Sequence, residues 1–116
     1  MNVEFPLFVF EKDEGSMYLI EKPERLFYHL EAVDIEDDEY VFWDATGAGA
    51  CVSVAHNVID QITRCDRTMS LEDAFKAYSE SLKLRVPAQG TPIEIWGRIQ
   101  SQIPKRVPFW TRLFSK

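Results

Sequence analysis

Two cysteines and two histidines, with one aspartate, are the residues whose types could support nucleophilic or acid–base chemistry. Cys51 could pair with His29 or His56, because a thiol becomes a strong nucleophile beside a base. Asp44 ends an aromatic segment before a glycine-rich turn, where an Asp most often binds the backbone of its own turn. Since nothing places a third group to orient a Cys–His pair, we assign no catalytic residue. His29, Asp44 and His56 stand as candidates for binding a small ligand.

A run of carboxylates is the other group of side chains with ligand chemistry. It comprises Asp34, Glu36, Asp37, Asp38 and Glu39. A calcium loop has a glycine at its sixth position and a bidentate Glu at its twelfth, and this run has neither. Gly47-Ala48-Gly49 lacks the third glycine of a dinucleotide site and the lysine of a P-loop. We therefore predict no metal and no cofactor, and interpret the acids as a solvated loop or a docking patch.

Charge is divided unevenly along the chain. Residues 1–44 hold 13 acids and 3 bases, a net of −10, and residues 45–116 hold 6 acids and 10 bases, a net of +4, which together give −6. An acidic protein is poorly suited to nucleic acid, whose binding requires basic surface to displace counterions. The same balance favours a basic protein partner.

The last twelve residues, 105–116, combine four bases with three aromatic side chains. We favour the interpretation that this tail folds back onto the acidic half of the chain. A partner-binding tail is the first alternative, with Phe109, Trp110 and Arg112 as its candidate contacts. An anchor for an anionic membrane surface is the least favoured.

A chain of 116 residues fits one domain, which we place at residues 1–104. No apolar run reaches the roughly 20 residues of a transmembrane helix, and the first residues lack the basic region of a signal peptide. Two cysteines are too few for a disulfide scaffold, so we predict a cytoplasmic protein with reduced thiols. The many aromatic residues leave a homodimer open.

Alternating apolar residues and turn residues predict the element order ββα-βββ-αα. Strands are predicted at residues 3–10, 17–21, 40–44, 51–55 and 58–63. In the first of them, the odd-numbered apolar residues point to one side while Phe8 and Phe10 point to the other. Pro6 cannot donate to a ladder, which favours an edge strand or a bulge. His56-Asn57 is predicted to be a two-residue turn.

Helices are predicted to begin at Pro23, after the N-cap Ser70, and at Pro92. The acidic run is expected to be a loop after the first helix, and residues 45–49 a flexible connection. Because each element has one apolar side, the natural arrangement is an α+β fold. We predict an antiparallel sheet of about five strands with helices packed mainly on one face.

Part of the chain resembles a loose group of small acidic bacterial proteins, mostly uncharacterised, some of which are immunity partners of secreted toxins. The matching residues are Leu30, Glu31, Asp34, Glu39, Tyr40, Trp43, Asp44 and Gly47. The resemblance concerns the scaffold and implies no chemistry. With the acidic run, it makes an immunity-type inhibitor of a basic toxin the leading hypothesis. A small-molecule binder or enzyme with a pocket between sheet and helices is the alternative, and a structural homodimer is the second.

Overall fold

A computed structural model describes residues 3–87 and 89–103, and these residues form the predicted α+β fold. The strands are β1 (Leu7–Glu11), β2 (Met17–Ile20), β3 (Tyr40–Trp43), β4 (Gly49–Ala55) and β5 (Val58–Arg64). The helices are α1 (Leu26–His29), α2 (Ala32–Glu36), α3 (Leu71–Ser81) and α4 (Pro92–Gln102), and a 3₁₀ turn, Pro23–Arg25, precedes α1. Among the described residues, no helix has the length and apolar character needed to cross a membrane.

The sheet is antiparallel throughout, with the strand order β2-β1-β3-β4-β5. β1 therefore lies inside the sheet, where Phe8 pairs with Leu19 on one side and Trp43 on the other. The expectation of an edge strand or a bulge at Pro6 is wrong. The strand begins at Leu7, so Pro6 lies outside the ladder and its missing N–H costs no strand pairing.

The predicted alternation of β1 is confirmed, because each side of the strand enters a separate apolar cluster. Leu7 and Val9 point to the face that is covered by Leu26 of α1, Ile35 of α2, and Leu30 between the two helices. Each fully buried side chain of this kind contributes about 1.5–3 kcal/mol relative to an exposed one.

The longer helices α3 and α4 cover the opposite face of the sheet. Phe8, Phe10 and Trp43 point to this face and pack with Phe75 of α3 and Ile99 of α4. The rings of Phe8 and Phe75 meet edge to face, with their centroids 5.5 Å apart. The sheet is thus the middle layer between two sets of helices.

Both long helices begin as the sequence predicts. Ser70 Oγ accepts a hydrogen bond from Asp73 N–H (3.0 Å) at the start of α3. Thr91 and Glu94 form a capping box at the start of α4, with Pro92 in its first turn. These bonds satisfy N–H groups that a helix start otherwise leaves unpaired.

The acidic run is only partly a loop, in contrast to the prediction. The backbone is extended at Leu30 and Glu31 and then turns into α2, which contains Asp34 and Glu36. The Glu31 carbonyl accepts bonds from Asp34 N–H and Ile35 N–H, both 3.1 Å. Ile35 is buried against the sheet and fixes this helical turn there. In the sequence, this one apolar residue is hard to recognise among the acids that surround it.

The β4–β5 hairpin contains one confirmed and one wrong prediction. His56 (φ 54°) and Asn57 (φ 64°) form the expected two-residue turn. The prediction of reduced thiols is wrong, because Cys51 and Cys65 form a disulfide with their Cα atoms 5.9 Å apart. Strand pairing brings the two cysteines together, since the Cys65 N–H donates to the Gly49 carbonyl two residues before Cys51.

Candidate functional site

Two turns at one end of the sheet bring their carboxylates onto a common surface. β1 pairs with β3 so that Glu11 lies opposite Tyr40, and Lys12 N–H donates to the Glu39 carbonyl (3.0 Å). The β1–β2 turn therefore lies beside the turn that leads from α2 to β3. The surface that they form is termed the acidic face and consists of Glu11, Asp13, Glu14, Asp34, Asp37, Asp38 and Glu39.

Two carboxylates of the acidic face, those of Glu11 and Glu39, are harder to ionise than an ordinary Glu. Partial desolvation raises the pKa of Glu39, and the charges of Asp34, Asp13 and Asp37 raise it further. Desolvation likewise raises the pKa of Glu11, with further contributions from neighbouring acids. Because like charges at short range favour the protonated form, the contributions of neighbouring acids to these two shifts indicate a negative potential around Glu11 and Glu39.

Two tyrosines join the acids of this face to the sheet. Tyr18 donates its hydroxyl to Glu11 Oε1 (3.3 Å), and Tyr40 donates to Asp34 Oδ2 (3.5 Å). Burial, followed by the charges of Asp34 and Glu11, raises the pKa of Tyr40 to about 12. Both phenols therefore remain protonated donors at neutral pH and fix the carboxylates in place.

The basic side chain of Lys12 forms an ion pair with one acid of the acidic face. Its Nζ lies 3.2 Å from Asp38 Oδ2, and the two side chains are 44% and 75% exposed. An exposed pair of this kind contributes only about 0–1 kcal/mol. Most of the negative charge on this face is therefore available to a group from outside the described residues.

Two exposed side chains with apolar area, those of Tyr28 and Val33, precede the second group of acids in the chain. Tyr28 is 70% exposed and Val33 is 57% exposed. Tyr28 precedes His29, whose ring stacks on Tyr18 with centroids 5.5 Å apart, and the Arg25 guanidinium lies 4.9 Å from the Tyr28 ring centroid. The surface around the acidic face thus offers both charge and apolar contact area.

Asp44, in contrast, is fully buried and its carboxylate is surrounded by donors. Its Oδ1 accepts from the N–H and hydroxyl of Thr46 (2.9 and 2.6 Å) and from Ala48 N–H (3.2 Å). Its Oδ2 accepts from Glu4 N–H (3.3 Å) and from Arg64 Nη2 (3.2 Å). Burial alone raises the pKa of Asp44, but the bonds from Thr46, Glu4 and Ala48 outweigh it and lower the pKa below 3.8. Residues 45–48 therefore form a hydrogen-bonded turn, and the flexible connection that we predicted there is wrong.

The remaining candidates for ligand chemistry are dispersed. The disulfide removes the Cys51 thiol, so the conceivable pairing with His29 or His56 is wrong for this structure. Two open cavities, of about 770 and 630 Å³, lie beside α3 and beside the β5–α3 connection, and the described residues that line them include none of the three ligand candidates. Within the described part of the chain, no group of three or more His, Cys, Asp or Glu side chains could hold a metal ion.

The structure groups five predicted partner-binding residues and leaves three unplaced. Asp34, Asp37, Asp38 and Glu39 lie on the acidic face, and Glu36 is exposed on α2 beside them. The predicted contacts in the tail, Phe109, Trp110 and Arg112, lie outside the described residues.

Sequence reasoning missed that the β1–β2 turn belongs to the same surface. Glu11, Asp13 and Glu14 lie at least 20 positions before the second group of acids, which begins at Asp34, and the pairing of β1 with β3 brings the two groups together. Their acidic composition was a visible signal, but nothing local in the sequence indicates which strand lies beside β1.

Comparison with known proteins finds no relative of this chain. No protein-family model matches the chain, and no curated protein or solved structure matches it.

Proposed function

We propose that the chain is a non-enzymatic protein-binding module whose acidic face binds a basic surface of another protein, as an immunity-type inhibitor of a basic toxin would. The observation that supports this most directly is that the pairing of β1 with β3 brings seven carboxylates onto one surface, where neighbouring charges contribute to the raised pKa of Glu11 and Glu39. Holding like charges together costs free energy, and a cationic partner would recover it on binding.

The neighbouring apolar side chains support the same proposal. A stable interface needs a desolvated apolar centre as well as charge complementarity, and aromatic residues are common in such centres. Val33 precedes Asp34 on α2 and Tyr28 precedes His29 at the end of α1; both are exposed and could supply that contact area. Association would then be fast at low ionic strength and would slow as salt screens the acidic face.

No observation favours the other functions to the same degree. Asp44, the strongest residue for a ligand site, has its carboxylate oxygens occupied by its own turn and by Arg64. A homodimer stays a prediction that the sedimentation mass would test. The predicted cytoplasmic location depended on reduced thiols, and the Cys51–Cys65 disulfide removes that support.

The experiment compares two variants that change the net charge equally. Asp34→Asn, Asp37→Asn, Asp38→Asn and Glu39→Gln together neutralise part of the acidic face. The matched control carries Glu21→Gln, Glu24→Gln, Asp60→Asn and Glu80→Gln, which are exposed acids outside that face. Each immobilised protein is exposed to a lysate of the native host at low salt, and the retained proteins are identified and then purified for titration.

The wild type and the control should retain the same basic protein and release it at high salt. The acidic-face variant should bind the purified partner at least about tenfold more weakly. Equal binding by both variants would refute the role of the acidic face. Retention of no basic protein by the wild type would refute the proposed class of partner.

A further inference from the structure

The connection between β5 and α3, residues 65–70, lies across the beginning of β4 and is termed the crossover. Cys65 N–H donates to the Gly49 carbonyl (3.1 Å), and Arg67 donates to the Ala50 carbonyl through Nε (3.1 Å) and Nη2 (2.7 Å). A Cβ atom at position 49 would overlap with the Cys65 carbonyl oxygen, so this close approach requires the glycine.

The far end of the crossover determines where α3 begins. Trp43 Nε1 donates to the Met69 carbonyl (3.1 Å), and Ser70 is the N-cap of α3. Because α3 covers the face of the sheet that contains Phe8 and Trp43, the path of the crossover is coupled to the packing of that face.

The Cys51–Cys65 disulfide is the covalent bond in this arrangement, since it links the first residue of the crossover to β4. Both cysteines are partly exposed, and Cys65 lines the open cavity of about 630 Å³ beside Trp43 and Arg67. Solvent, and with it a small thiol or disulfide reagent, can therefore reach the bond. We infer that this disulfide fastens the crossover to β4 and that the chain matures in an oxidising compartment.

Forming the disulfide requires an oxidant, and the compartment must supply it. Two thiols form the disulfide by releasing two protons and two electrons to a disulfide oxidant, such as oxidised glutathione or a thiol–disulfide oxidoreductase, which is reduced to two thiols. The cytosol keeps protein thiols reduced, whereas secreted and periplasmic proteins retain such bonds. Neither part of the inference depends on what the acidic face binds.

The first test is made on the purified full chain with a glutathione redox pair. After oxidation, the intact mass should be lower by two hydrogen atoms and neither cysteine should react with iodoacetamide. Because the bond closes a loop with a sequence separation of 14, its reduction should lower the Tm by roughly 10 °C or more. Amide hydrogen exchange should accelerate in the crossover and stay unchanged in β1.

The double variant Cys51→Ser, Cys65→Ser is the control, and its Tm should not respond to reductant. If that variant does not fold, reductant titration of the wild type gives the same comparison. Alkylation of both thiols after oxidation, or an unchanged Tm and unchanged exchange on reduction, would overturn the role of the bond. The location is tested by alkylating thiols during lysis of the native host: protected cysteines are expected, and two alkylated cysteines would overturn the oxidising compartment.

Discussion

Asp44 and the acidic face hold the same functional group in opposite surroundings. Asp44 is buried among donors from its own turn and Arg64, and these hydrogen bonds lower its pKa. The acids of the acidic face have one another as neighbours, and the pKa values of Glu11 and Glu39 are raised. A carboxylate whose donors lie within the fold stabilises the fold. Carboxylates whose neighbours are carboxylates gain most from a cation that comes from elsewhere.

Removing the buried carboxylate should have the largest effect on stability. Asp44→Ala leaves the N–H groups of its turn and the Arg64 guanidinium without their acceptor, and we expect the free energy of unfolding to fall by about 3 kcal/mol. Asp44→Asn keeps an acceptor for the turn and should lose less. Urea denaturation monitored by circular dichroism measures both. Asp37→Asn on the acidic face is the control, and a loss as large as that of Asp44→Ala would break the comparison.

Removing one donor to Asp44 should have a smaller effect. Thr46→Val deletes the hydroxyl that donates to Asp44 Oδ1 (2.6 Å) and should lower the free energy of unfolding by about 1–2 kcal/mol. Thr46→Ser retains the hydroxyl and should stay close to the wild type. The two variants are compared in the same urea titration, and a loss in Thr46→Ser without a loss in Thr46→Val would assign the effect to the methyl group of Thr46 instead.

The two kinds of carboxylate should oppose each other in the pH dependence of stability. The folded-state pKa of Glu11 and Glu39 lies above the ordinary 4.5, so the folded chain binds more protons there and stability should rise as pH falls from 7 toward about 5. The folded-state pKa of Asp44 lies below 3.8, so its contribution is complete above that value and is lost at lower pH.

Thermal unfolding across this pH range should therefore give a Tm maximum on the acid side of neutrality. Asp44→Asn should weaken the fall at low pH, and Glu11→Gln with Glu39→Gln should flatten the rise. A Tm that declines steadily from pH 7 downward would show that the repulsion on the acidic face is negligible.

The smallest expected effect is that of salt. Screening weakens repulsion between exposed charges and hardly affects a buried pair. Raising the sodium chloride concentration should therefore raise the Tm of the wild type by a few degrees at most, and less in the variant with Asp34, Asp37, Asp38 and Glu39 neutralised. An equal salt response in both proteins would mean that the acids on this face do not interact in solution.

The sequence predicts those features whose causes are local. Alternation along β1, the turn at His56-Asn57, the N-cap at Ser70 and the helix start at Pro92 each depend on residues a few positions apart. The fold class follows from them, because elements with one apolar side each have few ways to pack.

Features that depend on pairing partners distant in the chain could not be predicted in the same way. The placement of β1 between β2 and β3 joins the two acidic turns, and the pairing of β4 with β5 brings Cys51 to Cys65. Arg64 reaches Asp44 across 20 positions for the same reason. No residue in these pairs identifies its partner, since the register is decided by the sum of the contacts along the strands.

The two-sided covering of the sheet has a consequence for synthesis on the ribosome. The helices that cover Leu7 and Val9 end at residue 36, so they can dock on β1 and β2 while the rest of the chain is still emerging. On the other face, Phe8, Phe10 and Trp43 are covered only after α3 and α4, within residues 71–102, have been synthesised. A nascent chain that pauses before α3 therefore presents an aromatic surface to chaperones or to other nascent chains, and the later helices end that exposure when they dock.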